Sequence, residues 1–195
     1  MKRLFYILFA TVALFFAAGC TKYNIEDSGS ANGNHATTMR VMARRANLVS
    51  LFQGTSSYGK DITFFGPTNH SIRGYLYANG MDSIAEMSVA DCQTFILNSV
   101  LPKRIMLDDF KTGRKSSDPS TPIGTGGETF DMASGKKLWI YTFRDTYNGV
   151  VGAGPLQIYL VSPTTTKESH VASSNIQTLT GVVHSLDYNF RLNDF

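Results

Sequence analysis

Apolar side chains in the first half of the chain recur every three or four residues, which is the period of an amphipathic helix. Thr, Asn and Ser residues stand where N-caps are needed, and Gly or Pro follows three of the apolar runs. The pattern predicts four helices: Thr38–Phe52, a short helix between Thr68-Asn69 and Asn79-Gly80, Asp82–Met87, and Val89–Leu101.

From about Lys103 the apolar period is mostly two, as strands require. The predicted strands are Arg104–Asp109, Glu128–Met132, Leu138–Arg144, Leu156–Val161 and Val182–Tyr188, preceded by an earlier one at Ile62–Phe65. The run Leu138–Phe143 is apolar on both faces, so we expect it to be covered on each side. Asn148-Gly149 predicts a hairpin after it, and Lys111–Gly127 is polar and predicts a long exposed loop.

The stretch Asp61–Ile72, DITFFGPTNHSI, separates these two regimes. An apolar strand breaks at Gly66-Pro67 and a helix begins at once behind a Thr-Asn cap. Helices that precede a run of strands indicate the α+β class, with one sheet covered by helices from the N-terminal half. No internal repeat is visible in the 195 residues, so we expect one domain.

The first 36 residues have a different character. Lys2-Arg3 precedes the 15-residue apolar run Leu4–Ala18, which is short for a membrane span and suits a signal peptide. Cys20, which follows shortly after this run, predicts a lipoprotein signal over residues 1–19, because its thiol would be acylated at the mature N-terminus. An ordinary secretory signal with an incidental cysteine is the alternative. Residues 20–36 then form the lipidated cysteine and a flexible Gly/Ser/Asn-rich linker, and residues 37–195 the folded domain.

Composition and charge exclude several classes of function. Removal of Lys2 and Arg3 from the 18 basic side chains would leave 16 against 15 acidic ones, a balance that carries no nucleic-acid footprint. Lipidation of Cys20 would leave Cys92 as the one thiol, so no intramolecular disulfide is expected. The cluster Arg40, Arg44 and Arg45 favours a solvated helix face over an anion-binding patch.

No arrangement of residues indicates catalysis, a metal or a cofactor. The four histidines are scattered, and no zinc-type motif is present. Ser57 and Lys60 have the spacing of a serine acylase motif without its supporting motifs, and Gly149–Gly154 is glycine-rich but opens no helix. We therefore predict a protein that is not an enzyme and has no cofactor.

Two segments resemble the signatures of one known family. Thr63–Ile72, TFFGPTNHSI, resembles the first signature of fasciclin domains, and Asn175–Asp187, NIQTLTGVVHSLD, resembles the second. The signature residues are Thr63, Phe65, Pro67, Thr68, Asn69, Gly181, Val182, His184 and Asp187.

The resemblance implies a single fasciclin-like domain, a wedge-shaped β-sheet in which the two signature strands lie together. It covers about Thr37 to Phe190 and suggests a bacterial lipoprotein of the Bacteroidetes type. Physical roles follow for two residues: Gly181 permits a close approach, and His184, on a face with Val182 and Leu186, favours a hydrogen-bonded core histidine over a ligand or base.

The function that the resemblance implies is adhesion. We expect a lipid-anchored module of the bacterial outer membrane, periplasmic or surface-exposed, that recognises an envelope or extracellular protein or glycan. The alternative is a non-catalytic structural accessory subunit of an outer-membrane or surface assembly. Asn175 and Ile176 are the candidate partner contacts, since an Asp-Ile pair there has been linked to receptor contact in animal members. The Tyr-His or Asn-His pair of many relatives is Asn98-Ser99 here, which weakens transfer of that mechanism.

Overall fold

The computed structural model describes residues 35–118, 121 and 123–195. The predicted signal peptide, Cys20 and most of the predicted linker lie outside this part of the chain. The chain divides into two units, Met1–Thr37 and Thr38–Phe195, and the fold given below is that of the second.

The described part of the chain contains four helices and nine strands, and all four helices precede eight of the strands, which is an α+β order. The helices are α1 (His35–Arg45), α2 (Val49–Phe52), α3 (Asn69–Ala78) and α4 (Val89–Asn98). The strands are β1 (Ile62–Gly66), β2 (Val100–Leu101), β3 (Gly113–Arg114), β4 (Thr125–Gly126), β5 (Glu128–Asp131), β6 (Lys137–Arg144), β7 (Leu156–Val161), β8 (Glu168–Thr178) and β9 (Gly181–Leu186). Short 3-10 turns occupy Ile84–Glu86, Leu107–Asp109 and Leu192–Asp194.

Seven of the strands form one sheet in the order β2-β1-β9-β8-β7-β6-β5. All neighbours are antiparallel except β1 and β9, which are parallel. β3 and β4 form a separate two-stranded ladder. The prediction that the two signature strands lie together is confirmed, because β1 and β9 come from the two signatures.

Both faces of the sheet are covered near β6, as the apolar pattern predicted. Leu138 and Ile140 belong to the main core, which also holds side chains from all four helices. Trp139 and Tyr141 point the other way and stack at 4.6 Å between ring centroids. The indole Nε1 of Trp139 donates to the carbonyl of Gly126 at 3.1 Å, so the segment that carries β4 covers this second face.

The predicted helix Thr38–Phe52 is two helices. Asn47 adopts a left-handed conformation with φ 57° and ends α1. The Leu48 amide donates to the Ala43 carbonyl at 2.9 Å and the Asn47 amide to Arg44 at 3.1 Å, which is a Schellman cap. Asn tolerates this conformation better than other non-glycine residues, so the break has a sequence cause that the apolar period conceals.

Two further elements differ from the prediction, one because of a distant strand and one because of a local side-chain bond. The helix Val89–Leu101 ends at Asn98, since Val100 and Leu101 pair with β1 as the edge strand β2. Arg104–Asp109 is not a strand but leads into a 3-10 turn, and the Asp109 carboxylate accepts from the Met106 amide at 3.2 Å. A backbone that pairs with side chains in this way has no need of a strand partner.

One long strand was missed altogether. β8 reads ESHVASSNIQT, a mostly polar sequence without regular alternation. Two register shifts interrupt its pairing with β9, between Val171 and Ser173 and between Ser173 and Ile176. Such bulges change which side chains face the core and erase the period of two.

Candidate functional site

The two signature strands place the ends of both signatures at one edge of the sheet. β1 and β9 run parallel from Ile62 opposite Gly181 to Gly66 opposite Ser185. A Cβ atom on Gly181 would lie 2.0 Å from the Ile62 carbonyl oxygen, and the φ of Gly181 is +153°. Only glycine permits this approach, and the segments that follow the two strands therefore leave the sheet side by side.

The signature residues within the strands are buried and serve packing. Thr63 donates its hydroxyl to the Lys103 carbonyl at 2.7 Å and accepts from the Ile105 amide at 2.9 Å. Phe65 is fully buried and stacks on His184 at 5.7 Å between ring centroids. Val182 is also buried. None of these side chains is accessible to a partner of any size.

His184 is buried and bonded through both ring nitrogens. Its Nδ1 accepts from the Asn175 amide at 3.3 Å, and its Nε2 lies 3.0 Å from the Ile105 carbonyl oxygen. Because an amide can only donate and a carbonyl only accept, the ring is neutral with its proton on Nε2. Burial lowers the pKa of His184, although the bond to Ile105 opposes that shift.

The signature residues outside the strands lie in the segments that follow β1 and β9, which we call the two exits. Pro67 ends β1, and the Thr68 hydroxyl caps α3 by accepting from the Ser71 amide at 3.3 Å, which contributes about 1 kcal/mol. Asn69 is buried at the start of α3. Asp187 accepts from the Asn189 amide at 2.9 Å and lies 3.6 Å from His170 Nε2.

The two candidate partner contacts, Asn175 and Ile176, differ in environment. Asn175 has φ 60° in the β8 bulge, and its Oδ1 accepts from the Leu107 amide at 2.8 Å. Its side chain is therefore engaged within the domain, whereas Ile176 is 47% exposed. Asn98 and Ser99, at the position of the relatives' histidine pair, are each 2% exposed.

An exposed aromatic pair forms where the two exits meet. Tyr188, just beyond the second signature, stacks on His70, within the first, with ring centroids 4.2 Å apart and planes 22° apart. Tyr188 is 62% exposed. On α3 the residues at positions four, three and seven after His70 share its outward face, and they are Gly74, Arg73 and Tyr77.

We call this group the aromatic surface. It comprises His70, Arg73, Gly74, Tyr77, Tyr188 and Arg191. Tyr77 is 90% exposed, and the Arg191 guanidinium lies 3.4 Å from the Tyr188 carbonyl oxygen. Among the residues that the structure describes, neither guanidinium group of the aromatic surface has a carboxylate oxygen within 4.0 Å, and the Asp194 carboxylate accepts from the backbone amide of Arg191 at 2.7 Å.

The aromatic surface was not predicted from the sequence. Ile72, Tyr75 and Leu76 form the apolar face of α3. Tyr77 lies on the opposite face, which the helical period assigns to solvent. An aromatic residue at such a position could have indicated a binding surface from the sequence alone. The proximity of Tyr188 to His70 could not be predicted in this way, because it arises from the parallel pairing of strands distant in sequence.

A second exposed apolar group lies at the hairpin between β6 and β7. Tyr147 and Val150 exchange backbone hydrogen bonds of 3.0 and 2.9 Å around Asn148-Gly149, which have φ values of 50° and 79°. The predicted hairpin turn is thus confirmed. Tyr147 and Val150 are each 60% exposed and Val151 is 85% exposed. We call these three residues the hairpin tip.

The described residues contain no group of three or more His, Cys, Asp or Glu side chains arranged to hold a metal ion. A crevice of about 220 Å³ is lined by Leu107, Ile158, Val171 and neighbouring residues. None of its lining residues belongs to the aromatic surface. No helix in the described ranges has the length and apolar character needed to cross a membrane. The groups that the aromatic surface offers to a partner are therefore aromatic rings and guanidinium groups.

Comparison with known proteins agrees with this architecture. No curated protein sequence matches the chain. Among solved structures, the chain is similar to a domain pair from the insect cell adhesion molecule fasciclin I, with a TM-score of 0.51 and 10% sequence identity. The match covers 77% of this chain and 43% of that chain, so the present chain spans less than half of the insect domain pair. This likeness shows the fold.

The family model of the fasciclin domain matches residues 34–190, most of the chain. The fold therefore agrees with the sequence resemblance in its strand pairing, its helices and its extent. Fasciclin domains are adhesion-related modules with a non-catalytic type of fold. The chain belongs to the fasciclin family.

Proposed function

We propose that this protein is a bacterial lipoprotein of the Bacteroidetes type that acts as an adhesion module of the cell envelope, recognising a protein or glycan partner. Its place is the outer membrane, facing either the periplasm or the outside. The observation that carries the binding role is the aromatic surface, which presents two exposed tyrosines and two arginines. Tyrosine and arginine are enriched among residues that dominate binding energy.

The anchor is supported by the sequence alone. A charged start, a 15-residue apolar run and Cys20 suit lipidation, and several acyl chains hold a protein to a bilayer far more firmly than one. Replacing Cys20 with Ser should move the protein from the membrane fraction to the soluble fraction. Cys92→Ser is the matched control and should leave fractionation unchanged, because that thiol is fully buried in the domain. Membrane association that persists in Cys20→Ser would refute the anchor.

The binding role is testable with variants of exposed residues. Immobilised protein should capture a partner from envelope extracts, and the double change Tyr77→Ala with Tyr188→Ala should abolish capture. A hot-spot residue is worth about 2 kcal/mol or more, so each tyrosine should alter affinity roughly 30-fold. Both side chains are more than half exposed, so the double variant should unfold at the temperature of the wild type. Capture that is unaffected by the double change would contradict the assignment.

The hairpin tip favours the second candidate, a structural accessory subunit of an outer-membrane or surface assembly. The segment from Thr146 to Gln157 contains no charged side chain, and its exposed apolar residues suit a permanent protein contact. Mild extraction followed by native gels would show a complex of fixed stoichiometry in that case. Val151→Glu would disrupt this complex, whereas the tyrosine double variant would leave it intact.

Exposure of the domain outside the cell decides which partners it can meet. Protease treatment of intact cells should degrade a surface-exposed protein and spare a periplasmic one. A spared protein would restrict the partner to components of the envelope itself.

A further inference from the structure

We propose that the aromatic surface binds an anionic glycan, a sugar chain that carries carboxylate, sulfate or phosphate groups. The inference rests on the proposed binding function and names the class of ligand for the same surface. Three features of the surface carry it: the placement of its rings, the glycine between them, and two guanidinium groups that have no carboxylate partner among the described residues.

The rings offer separate platforms along one line. His70 and Tyr77 lie seven residues apart on the same face of α3, and at 1.5 Å per residue this is about 10 Å along the helix axis. Tyr188 stacks on His70, so these two rings form one platform and Tyr77 forms the other. One face of a sugar ring carries C–H groups that pack on an aromatic plane, while its rim carries hydroxyls that stay hydrated. Two platforms on one line therefore suit consecutive or alternate sugars of an extended chain.

Gly74 leaves the surface of α3 open between the two ring platforms, and we call this open surface the floor. It lies in the middle of α3 and on the same face as His70 and Tyr77. A Cβ atom at this position would meet nothing within 4 Å, and the φ of Gly74 is not in the left-handed region. Glycine is a poor helix former, so neither packing nor backbone geometry explains its presence here. A ligand that approaches the helix between the platforms gives it a reason.

The charge of the surface selects an anionic ligand. Arg73 is exposed on the outward face of α3 between the positions of His70 and Tyr77, and the Arg191 guanidinium donates to the Tyr188 and Phe190 carbonyls at 3.4 and 3.3 Å. Neither guanidinium has a carboxylate within ion-pair distance among the described residues. Guanidinium groups bind carboxylate, sulfate and phosphate oxygens in pairs, so an acidic sugar would complete both.

The same surface is less suited to a protein partner. None of its six residues is aliphatic, and the crevice near Ile158 shares no lining residue with it. The hairpin tip, with two valines, is the better protein contact.

The experiment uses the full chain in mild detergent and two matched pairs of ligands, followed by titration calorimetry. The first pair is galacturonate oligomers and their fully methyl-esterified forms, which share a skeleton but differ in charge. The second is dextran sulfate and dextran. We expect the charged member of at least one pair to bind at least tenfold more tightly than its neutral counterpart, and the difference to shrink as salt is added.

Variants then assign the binding to the surface. Tyr77→Ala should weaken binding of the charged ligand at least tenfold, and Gly74→Leu should do the same by filling the floor. Arg73→Gln should reduce the preference for the charged ligand. Tyr147→Ala, which removes an exposed tyrosine from the hairpin tip, is the control and should bind like the wild type. Melting temperatures of all variants should be within a few degrees of the wild type, since each position is exposed or open.

Several results would overturn the proposal. Charged and neutral ligands that bind equally would remove the role of the arginines, and binding that survives both Tyr77→Ala and Gly74→Leu would place the site elsewhere. If no sugar binds while capture from envelope extracts still requires Tyr77 and Tyr188, the ligand is not a glycan and the adhesion function stands. If capture does not require them either, the proposed function fails with the inference.

Discussion

Replacement of Gly181 by alanine tests whether the pairing of the two signature strands depends on the missing side chain. The φ of +153° lies in a region that alanine avoids, at a cost of about 1–3 kcal/mol. The new Cβ would also lie 2.0 Å from the Ile62 carbonyl oxygen, a distance that no real contact of this kind shows. β1 must therefore move by about 1 Å or more, which strains a close-packed core by roughly 1–3 kcal/mol.

Together these effects predict a loss of about 2–6 kcal/mol in the free energy of unfolding. The whole stability of a domain is about 5–15 kcal/mol, so the variant should be close to unfolding or should not accumulate. Equilibrium unfolding in urea, monitored by the fluorescence of Trp139, measures the loss as a fall in the midpoint concentration.

Two other glycines are controls that separate strain from clash. Gly135 has φ +83° and open space around it, so Gly135→Ala should cost only the backbone strain of about 1–2 kcal/mol. Gly74 has neither positive φ nor neighbours, so Gly74→Ala should stabilise the domain by up to about 1 kcal/mol. If Gly181→Ala is no more destabilising than Gly135→Ala, the argument from close approach is wrong.

Three further changes follow from buried groups. Burial lowers the pKa of His184 below its unfolded value of about 6.5, so the unfolded state takes up a proton first as the pH falls. The free energy of unfolding should therefore be constant above that pH and fall by up to about 1.4 kcal/mol per pH unit below it. His184→Gln should remove this dependence in urea titrations between pH 7.5 and 5, and an unchanged slope would mean that another group titrates. Cys92 is buried and burial raises the pKa of its thiol, so its modification by iodoacetamide at pH 8 should require unfolding and be much slower than in urea-unfolded protein. Rapid modification of the native protein would show that α4 opens locally. Phe195 is buried, and its carbonyl oxygen accepts from Lys136 Nζ at 3.1 Å. Phe195→Ala should therefore lower the free energy of unfolding by about 3 kcal/mol, measured by thermal unfolding. A loss under 1 kcal/mol would show that the Phe195 side chain does not contribute to the core.

Local signals predicted much of the fold. The Thr68 cap of α3, the Ser88 cap of α4 and the left-handed Gly80 after α3 all lie within a few residues of the elements they bound. Capping and turn chemistry depend on side chains next to the backbone groups they satisfy, so a sequence read in short windows contains them.

Two of the errors occurred where a distant segment competed with the local pattern. Val100 continues the apolar face of α4 in the sequence but pairs with Phe64 of β1 in the fold. β8 has no regular period of two because two register shifts interrupt its pairing with β9. In both cases the ladder to a neighbouring strand decided the outcome, and no short window shows which neighbour that is.

The sequence by itself provided the prediction of a lipoprotein signal, the two signatures and the order of helices before strands, because each of these depends on adjacent residues. Only the tertiary structure decided that the signature strands are parallel neighbours and that His70 and Tyr188 therefore meet. The same pairing buries Thr63, Phe65 and His184 and leaves Tyr77 and Tyr188 in solvent. Contact between residues more than 100 positions apart depends on strand order and direction, and these are set by the packing of the whole sheet.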